Sequence, residues 1–517
     1  MRKIKVVDLF AGPGGLGEGF SRFSPNESVD YRPFDIVRSA EKDPAAIRTL
    51  RLRTFYRLCE TRDGVPGSYF DYLRGKRDVP YDQSTEQLWS HACRETSPIE
   101  LGTEAGDVQL RESLKRHLKR GEDWVLIGGP PCQAYSLVGR SRNRGIAEYD
   151  PARDHRNFLY EHYLEILASH QPVAFIMENV KGLLSSRVGN LQMFPRILND
   201  LSNPGKPAGR RARPKYTIHA LATSSAFSLG DEYSSLNPKD FVIRSEDHGI
   251  PQARHRVILL GIRADAGLHQ PSVLQPQLEP LDSWLALRTL PELRSGVSRT
   301  KSTTRDWANT ILQTLKDCRR NGLNPQLANK MRGAFMKGYR EDLQQGEPFV
   351  AVGRVRTGAA RAEIEFLWSI TNPKMGGYPN HEARTHMPMD LVRYLYASTV
   401  AELEKTSPKA ADFPAALAPN HKNWNSGKFA DRFRVQIKGR PSSTVTSHIA
   451  KDGHYFIHPQ PFQCRSLTVR EAARLQTFPD DYFFEGNRTE QYVQTGNAVP
   501  PMLAKMIAGV VWDSING

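Results

Sequence analysis

A cysteine placed directly after two prolines is the residue of this chain whose setting first suggests chemistry. Cys132 follows Pro130 and Pro131, beyond the short apolar run from Trp124 to Ile127. Proline has no backbone N–H and a fixed φ, so this pair cannot continue a central strand. The loop therefore presents the thiol beyond a strand's end. Two readings stay open from this stretch alone: a reactive thiol, or a buried cysteine acting as a small hydrophobe.

A carboxylate follows a second apolar run. Glu178 comes after the residues from Val173 to Met177. In open α/β sheets, ligands bind at the rim where the carboxyl ends of parallel strands meet. We therefore expect Glu178 and Cys132 to share that rim, as a proton donor beside a nucleophile. An exposed strand-end glutamate is the alternative.

Three polar side chains alternate just before a third apolar run. They are Gln252, Arg254 and Arg256, and the run extends from Val257 to Ile262. In an extended segment all three share one face, which favours a clamp on an anion or on the edge of a base. Solvated residues at a sheet edge are the alternative.

The first apolar run, Ile4 to Phe10, leads into a glycine-rich turn, and the stretch DLFAGPGG spans the end of the run and the turn. Glycines let a cofactor approach the backbone, and the helix that follows offers free N–H groups. The turn does not match GxGxxG, which disfavours a nicotinamide dinucleotide. Glu41 ends the next apolar run and is placed to accept both ribose hydroxyls of an adenosine cofactor, unless it is a surface carboxylate.

Short apolar runs alternate with helical patterns through the first half of the chain, which predicts an α/β fold with a mostly parallel sheet. The chain has 517 residues, of which 39% are apolar, enough for two to four domains. Its five cysteines include no CxxC pair, so we expect neither disulfides nor a metal site, and a reducing compartment. No apolar run is long enough to cross a bilayer, so we expect a cytoplasmic protein.

Charge points to a polyanionic partner. The formal net charge is +15, and neutralising phosphates releases counterions and gives affinity that does not depend on sequence.

The order of these motifs resembles one family closely, the DNA (cytosine-5) methyltransferases of bacterial type. The matching blocks, in chain order, are DLFAGPGGLGEGF, EKDP, GDVQL, GGPPCQAYS, MENVKGLL, DHGIPQARHRVILLGI, RSLTVREAARLQTFP and QTGNAVPP. They cover most of residues 1–263 and again 441–511.

This resemblance implies a Rossmann-like methyltransferase domain that uses S-adenosylmethionine, with a smaller target-recognition domain. We expect residues 1–263 to form the catalytic and cofactor-binding domain and 264–480 the target-recognition domain, which includes the RSLTVREAARLQTFP block. Residues 481–517 would return to the catalytic domain. The stretch of about 48–106 is longer than compact members need, and neither it nor the basic loop 204–216 receives a function.

The resemblance also implies roles for particular residues. Cys132 would add to carbon 6 of a flipped-out cytosine, Glu178 would hold the base through ring nitrogen 3 and its amine, and Arg254 and Arg256 would fix the base. The cofactor would be bound by ten residues: Phe10, Gly12, Gly14, Gly15, Leu16, Glu41, Asp107, Pro131, Leu159 and Asn497. DNA would be contacted by Gln133, Ser136, Arg140, Gln252 and Thr444.

The expected function is methyl transfer to carbon 5 of cytosine in a specific sequence of double-stranded DNA, in restriction-modification or phage defence. We expect a monomer near the nucleoid, with a cognate nuclease as a separate partner. Three alternatives stay open: a tRNA cytosine-5 methyltransferase of the same fold, a catalytically idle DNA-binding relative, and a nicotinamide dehydrogenase. The intact motifs disfavour the last two.

Overall fold

The computed structural model describes residues 3–517 apart from 27–30, 63, 120, 132–158, 189–190, 208–213, 278, 353–365, 368, 421–423 and 425–431. The strands of this part are β1 (Ile4–Leu9), β2 (Phe34–Ala40), β3 (Trp124–Gly128), β4 (Ala174–Val180), β5 (Arg187–Val188), β6 (Leu191–Gln192), β7 (Tyr216–His219), β8 (Ala226–Phe227), β9 (Val242–Arg244), β10 (Gln252–Ala253), β11 (His255–Arg263), β12 (Gly296–Val297), β13 (Gly346–Ala351), β14 (Gly377–Glu382), β15 (Thr385–His386) and β16 (Ser442–Ser443).

The helices of the same part begin close to where the sequence places turn and capping residues. They are α1 (Gly15–Arg22), α2 (Pro44–Glu60), α3 (Gly67–Leu73), α4 (Glu86–Glu95), α5 (Glu104–His117), α6 (Leu159–His170), α7 (Met193–Ser202), α8 (Ser283–Leu287), α9 (Thr304–Arg320), α10 (Pro325–Gly338), α11 (Pro388–Glu404), α12 (Val469–Leu475), α13 (Arg488–Asn497) and α14 (Pro501–Asn516). Asp43, for example, caps α2 by accepting from the Ala46 amide, and Pro44 occupies the first helical position.

An eight-stranded sheet forms the centre of the fold, in the order β2-β1-β3-β4-β11-β7-β8, with β9 also paired to β11. The first four strands are parallel. Strand β11 is antiparallel to β4, β7 and β9, and β8 is antiparallel to β7, so only β11 and β8 oppose the other strands of this sheet. The predicted α/β fold is confirmed, and the sheet is mixed.

Helices cover both faces of this sheet. On one face, α1 and α14 pack over β1, β2 and β3, with Phe20 and Ile507 fully buried. Helices α6 and α7 cover the other face. Burial of each such side chain contributes about 1.5–3 kcal/mol. Contact between α1 and α14 is close, because a Cβ at Gly19 would lie 2.3 Å from the Ala504 Cβ.

The stretch 488–516 is apolar and long enough for a membrane span, but 61% of its apolar window is buried inside the fold. A helix pair packed this way is typical of a protein core.

A second core lies in the C-terminal half, around helices α9, α10 and α11. Its centre is Trp307, whose indole N–H donates to the Ser295 hydroxyl at 2.8 Å. Helix α12 belongs to a further core, in which it packs against α8, α13 and β14. It begins with a capping box in which Thr468 and Glu471 each accept from the other's backbone amide.

Helices α2, α3 and α4 account for most of the long stretch at about 48–106. Their contacts connect α1, beside the central sheet, to the C-terminal part of the chain. Arg53 on α2 contacts Glu18 of α1 with two nitrogens, at 2.6 and 2.8 Å, and contacts Asp481 at 2.9 Å. All three side chains are buried. On α3, Tyr69 donates to the Asp481 carbonyl at 3.1 Å. The stretch therefore braces the start of α1 against the segment near residue 481.

Candidate active site

The turn between β1 and α1 depends on backbone conformations that favour glycine. Gly12 and Gly14 have φ values of 55° and 94°, and Phe10 adopts φ 55° without being glycine. A bulky residue at positive φ is strained, and such strain is typical of functional turns. At Gly15 a Cβ would lie 2.1 Å from the Val499 carbonyl oxygen, so the helix start fits closely against the segment before α14.

Glu41 is held at the end of β2 by three backbone amides. One carboxylate oxygen accepts from Gly12 at 2.8 Å, and the other accepts from Lys42 at 2.8 Å and from Asp43 at 2.9 Å. Three such bonds fix the orientation of the carboxylate. One acceptor position remains, on the oxygen that accepts from Gly12, and it can receive a hydroxyl group.

A cavity of about 710 Å³ lies between this turn, the ends of β2, β3 and β4, and the segment before α14. Its volume falls within the range of sites for cofactor-sized molecules. The structure brings nine of the predicted residues together in its lining: Phe10, Gly12, Gly15, Leu16, Glu41, Pro131, Leu159, Glu178 and Asn497. Gly14 supports the turn instead, since a Cβ there would collide with Leu50 and Tyr482.

Glu178 lines this cavity and pairs with Arg256 beside it. Glu178 lies within β4, a correction to its expected place past the strand's end. In the antiparallel register Arg256 faces Val180 and Ile258 faces Glu178, so Arg256 reaches Glu178 diagonally across the two strands. Its Nε lies 2.8 Å from the Glu178 Oε1, and each side chain is 14% exposed. The pair is thus oriented but still open to a ligand.

The start of the proline loop lies against Glu178. A Cβ at Gly129 would approach Glu178 Oε2 to 3.0 Å, and the Asn179 amide donates to the Pro130 carbonyl at 3.3 Å. Strand β4 therefore positions the loop that leads to Cys132. Cys132 itself, with Gln133, Ser136 and Arg140, lies outside the described residues.

The structure corrects the placement of Gln252 and Arg254. Gln252 is fully buried; its amide donates to the Leu475 carbonyl and to Gln476, and its oxygen accepts from the Val445 amide. Arg254 is 1% exposed and donates to the Val445 carbonyl at 2.8 Å. Both side chains tie β10 to the segment after β16. Neither is free to contact DNA or a base in this conformation, and of the three polar residues only Arg256 contacts Glu178.

Asp107 also differs from its predicted position. It lies in the first turn of α5, accepts from the Gly102 amide at 3.1 Å, and faces His162 at 3.3 Å. The cavity is lined instead by Ile99 and Leu101, which precede that helix. Ile99 donates its amide to the Glu41 carbonyl at 2.9 Å, so the backbone continues alongside the end of β2.

Thr444 lies half-buried beside β10, where its hydroxyl donates to the Ala253 carbonyl at 2.6 Å. Next to it is a concavity of about 530 Å³ bordered by β10, β16 and residues 434–437. The basic residues of its lining are Lys409, Arg434 and Arg440. The segment 252–256 therefore contributes Ala253 to this basic concavity and Arg256 to the pair with Glu178.

Sequence reasoning missed Asp8, Asn179 and the segment Ala498–Val499 as parts of the cavity. Asp8 interrupts an apolar strand, and that interruption was the available signal. Asn179 and Ala498 stood inside motifs already recognised.

The sequence and the fold of this chain are similar to those of known proteins. A family model described as C-5 cytosine-specific DNA methylase matches residues 99–206 and 237–512. Type II methyltransferase M.Bpa9945I of Bacillus paralicheniformis is 32% identical, over 99% of both chains. Type II methyltransferase M.AgeI of Thalassovita gelatinovora is 26% identical, over 99% of this chain and all of its own. The fold is similar to that of a DNA modification methyltransferase encoded within an E. coli prophage, with a TM-score of 0.53 and 20% identity over the whole of both chains.

Proposed function

The chain belongs to the C-5 cytosine-specific DNA methylase family, and we propose from that membership how its residues carry out the reaction. It is a DNA (cytosine-5-)-methyltransferase that uses S-adenosylmethionine. The observation that carries the residue assignment is that Glu178, paired with Arg256, lines one cavity with the fixed carboxylate of Glu41.

The cavity fits S-adenosylmethionine. Glu41 keeps one acceptor position for a ribose hydroxyl, and the Phe10–Leu16 turn offers backbone amides at the start of α1. Leu159, Ile99 and Leu101 provide apolar surface for the adenine. When bound, the cofactor supplies an electrophilic methyl group. Asn497 and Val499 would close the opposite side, because the segment before α14 forms that wall.

Glu178 would hold the target cytosine. A carboxyl group here can bond to ring nitrogen 3 and to the exocyclic amine, and this draws electron density away from carbon 6. Arg256 orients the carboxylate and supplies positive charge beside the base. Because the reacting carbons are inaccessible within a duplex, the cytosine must leave the base stack, at a cost of a few kcal/mol.

Cys132 would be the nucleophile. Its thiolate adds to carbon 6 and forms a C–S bond, after which carbon 5 accepts the methyl group. Loss of the carbon-5 proton to a base and cleavage of the C–S bond then restore the aromatic ring and the thiolate. Asn179 supports this role, because it donates to the Pro130 carbonyl, two residues before Cys132 in the sequence.

DNA would approach through the basic concavity. This concavity is lined by Lys409, Arg434 and Arg440, and also by Ala253 of β10, which is three residues before Arg256. Cationic side chains at that position suit backbone phosphates near the target base. We further propose that a target-recognition domain within residues 264–480 reads the sequence, and that the remaining predicted contacts, Gln133, Ser136, Arg140 and Thr444, lie along this interface.

We also propose that the enzyme is a cytoplasmic monomer near the nucleoid and protects DNA against a separate cognate nuclease. The support is that the relatives M.Bpa9945I and M.AgeI are named type II methyltransferases. A plasmid-survival assay with the nuclease present would test this role. The wild-type chain should protect the plasmid from cleavage, and the Cys132→Ala variant should not.

The residue assignment is tested by cytosine-conversion sequencing of DNA from a host without cytosine methylation. Expression of the wild-type chain should give methylation at one short motif. Cys132→Ala should remove it, and Glu178→Gln should reduce the rate by about 10²–10⁴-fold. Methylation that survives in Cys132→Ala would refute the nucleophile, and methylated tRNA with unmethylated DNA would favour the tRNA alternative.

A further inference from the structure

Helix α10 presents an outer face that the reaction steps above do not use. Its inner side belongs to the second core, where Met331 and Phe335 are fully buried. The ring of Phe335 packs against that of Trp307, with centroids 5.5 Å apart. At the start of the helix, the Asn324 side chain accepts from two backbone amides and caps the first turn. The core beneath α10 therefore fixes the orientation of its outer face.

The middle of this outer face holds residues that suit the edges of bases. At about 100° per residue, Asn329 and Gly333 lie along its centre, with Gln326 and Met336 close beside them, and all four are exposed. In the major groove of DNA, an asparagine or glutamine can bond twice to an adenine, and an apolar side chain can contact the methyl group of a thymine. Gly333 lets a groove approach the helix backbone closely, because it has no side chain.

Cationic side chains border this centre on both sides. Arg332 lies along one border, and Lys330 and Lys337 lie along the other. Helix α10 contains no acidic residue, whereas the neighbouring α9 contains two, Asp306 and Asp317. The major groove is about 12 Å wide, admits an α-helix and is bordered by two phosphate backbones. A neutral centre between two positive borders matches that arrangement.

The end of α10 lies near the basic concavity that was proposed to meet DNA. Lys337 is within electrostatic reach of Lys438, whose Nζ lies 4.4 Å from the centroid of the Trp284 ring. Lys438 stands between Arg434 and Arg440 in the sequence, and both of these line the concavity. DNA bound at the concavity would therefore pass close to α10.

We propose that α10 lies in the major groove of the target DNA and reads part of the recognition sequence. Asn329 and Gln326 contact base edges, and the cationic borders contact phosphates. This inference rests on the proposed function, which assigns sequence reading to residues 264–480, and it names the element within them. Double-stranded RNA does not suit this face, because side chains cannot read its deep and narrow major groove.

Cytosine-conversion sequencing tests the reading role. In a host without cytosine methylation, the methylated motif is compared between the wild-type chain and Asn329→Ala. The variant should relax the motif at one position, where discrimination between bases should fall about 5–150-fold, since its bidentate contact is lost. Asn309→Ala, the same change at an exposed position of α9, should leave the motif unchanged.

Fluorescence anisotropy with labelled duplexes tests the phosphate contacts. Lys330→Gln should weaken binding equally to a duplex with the motif and to one without it. It should also reduce the slope of log affinity against log salt concentration by about 1. Lys115→Gln removes the same charge from an exposed position of α5 and should change neither quantity.

Replacing Gly333 separates a DNA contact from a structural role. Nothing lies within 4 Å of a Cβ placed at Gly333, and leucine has a higher helix propensity than glycine. The melting temperature of Gly333→Leu should therefore stay unchanged or rise. The same side chain would hold the helix away from the base edges, so binding to the motif duplex should weaken about 10-fold or more.

Two outcomes would overturn the reading role of α10. One is an unchanged motif in both Asn329→Ala and Gln326→Ala, which would leave the helix at most a phosphate contact even if Lys330→Gln weakens binding. The other is a Gly333→Leu variant that binds the motif duplex as tightly as the wild type. A wild-type chain that methylates no DNA would overturn the proposed function instead.

Discussion

Replacing Arg53 with methionine is the sharpest test of how the long stretch at 48–106 supports the active site. Arg53 forms an ion pair with Asp481 and contacts both oxygens of Glu18. Burial would raise the pKa values of Glu18 and Asp481, but the Arg53 guanidinium outweighs it and holds both below their ordinary values. Methionine keeps about the length of the aliphatic part of the side chain and removes the charged guanidinium group.

The expected cost follows from what remains. Removing one partner of a buried ion pair costs about 3–5 kcal/mol, because the other charge stays buried. Asp481 keeps donors from Tyr56 at 2.9 Å and Asn372 at 2.7 Å, and Glu18 keeps Arg22 at 3.5 Å. We therefore expect the lower end of that range, about 3 kcal/mol at pH 8.

The pH dependence gives a second signature. In the variant both carboxyl groups can take up protons as the pH falls, which relieves the buried negative charge. The difference in stability from the wild type should therefore be smaller at pH 5 than at pH 8.

Urea unfolding followed by tryptophan fluorescence at both pH values measures this difference, with Arg305→Met as the control. Arg305 pairs with Glu341 on an exposed surface, so its loss should not move the unfolding midpoint measurably. An Arg53→Met midpoint equal to that of the control, or a difference that does not depend on pH, would refute the reasoning.

Three further predictions concern the cofactor, the DNA and the buried His381 of β14. Glu41→Gln should weaken S-adenosylmethionine binding about 10–100-fold by calorimetry, because a charge-assisted hydrogen bond contributes about 1.5–3 kcal/mol; an unchanged affinity would exclude the ribose role. Arg434→Gln should weaken DNA binding across all sequences, and in filter binding it should reduce the slope of log affinity against log salt concentration by about 1. Arg319→Gln removes the same charge from an exposed position of α9 and should change neither quantity. Burial lowers the pKa of His381 to about 4, so the unfolded chain takes up a proton first as the pH falls below about 6.5. That linkage removes about 2 kcal/mol of stability by pH 5, and thermal melts of His381→Gln should lack this part of the acid sensitivity.

The cofactor turn could be predicted because its information is local. The glycines after the first apolar run and the glutamate at the end of the second are each recognisable from their immediate neighbours, and the structure places Gly12 and Glu41 in hydrogen-bond contact. Asp107 shows the limit of the same method. Its GDV letters match a motif, but the backbone that passes the cavity is at Ile99 and Leu101, and three-dimensional placement decides which segment lies there.

Residues 252–256 could be only partly predicted. Alternation correctly indicated an extended segment, but it does not say which face the rest of the chain covers. Residues 442–445 and 475–476 are far away in sequence, and they enclose Gln252 and Arg254 while Arg256 faces Glu178. Asp8 was missed for a similar reason, since its lack of a partner depends on every element packed around it.

The close fit of Gly15 against Val499 has a consequence for how the enzyme is made. The two walls of the cofactor cavity are separated by almost the whole chain, so a protein still emerging from the ribosome has the glycine turn without its opposing wall. Cofactor binding then becomes available only late in synthesis, and folding must close a contact of very long sequence separation, which slows it. The same proximity of α1 and α14 brings both ends of the chain to one side, so a circular permutant that joins them is expected to keep the cavity.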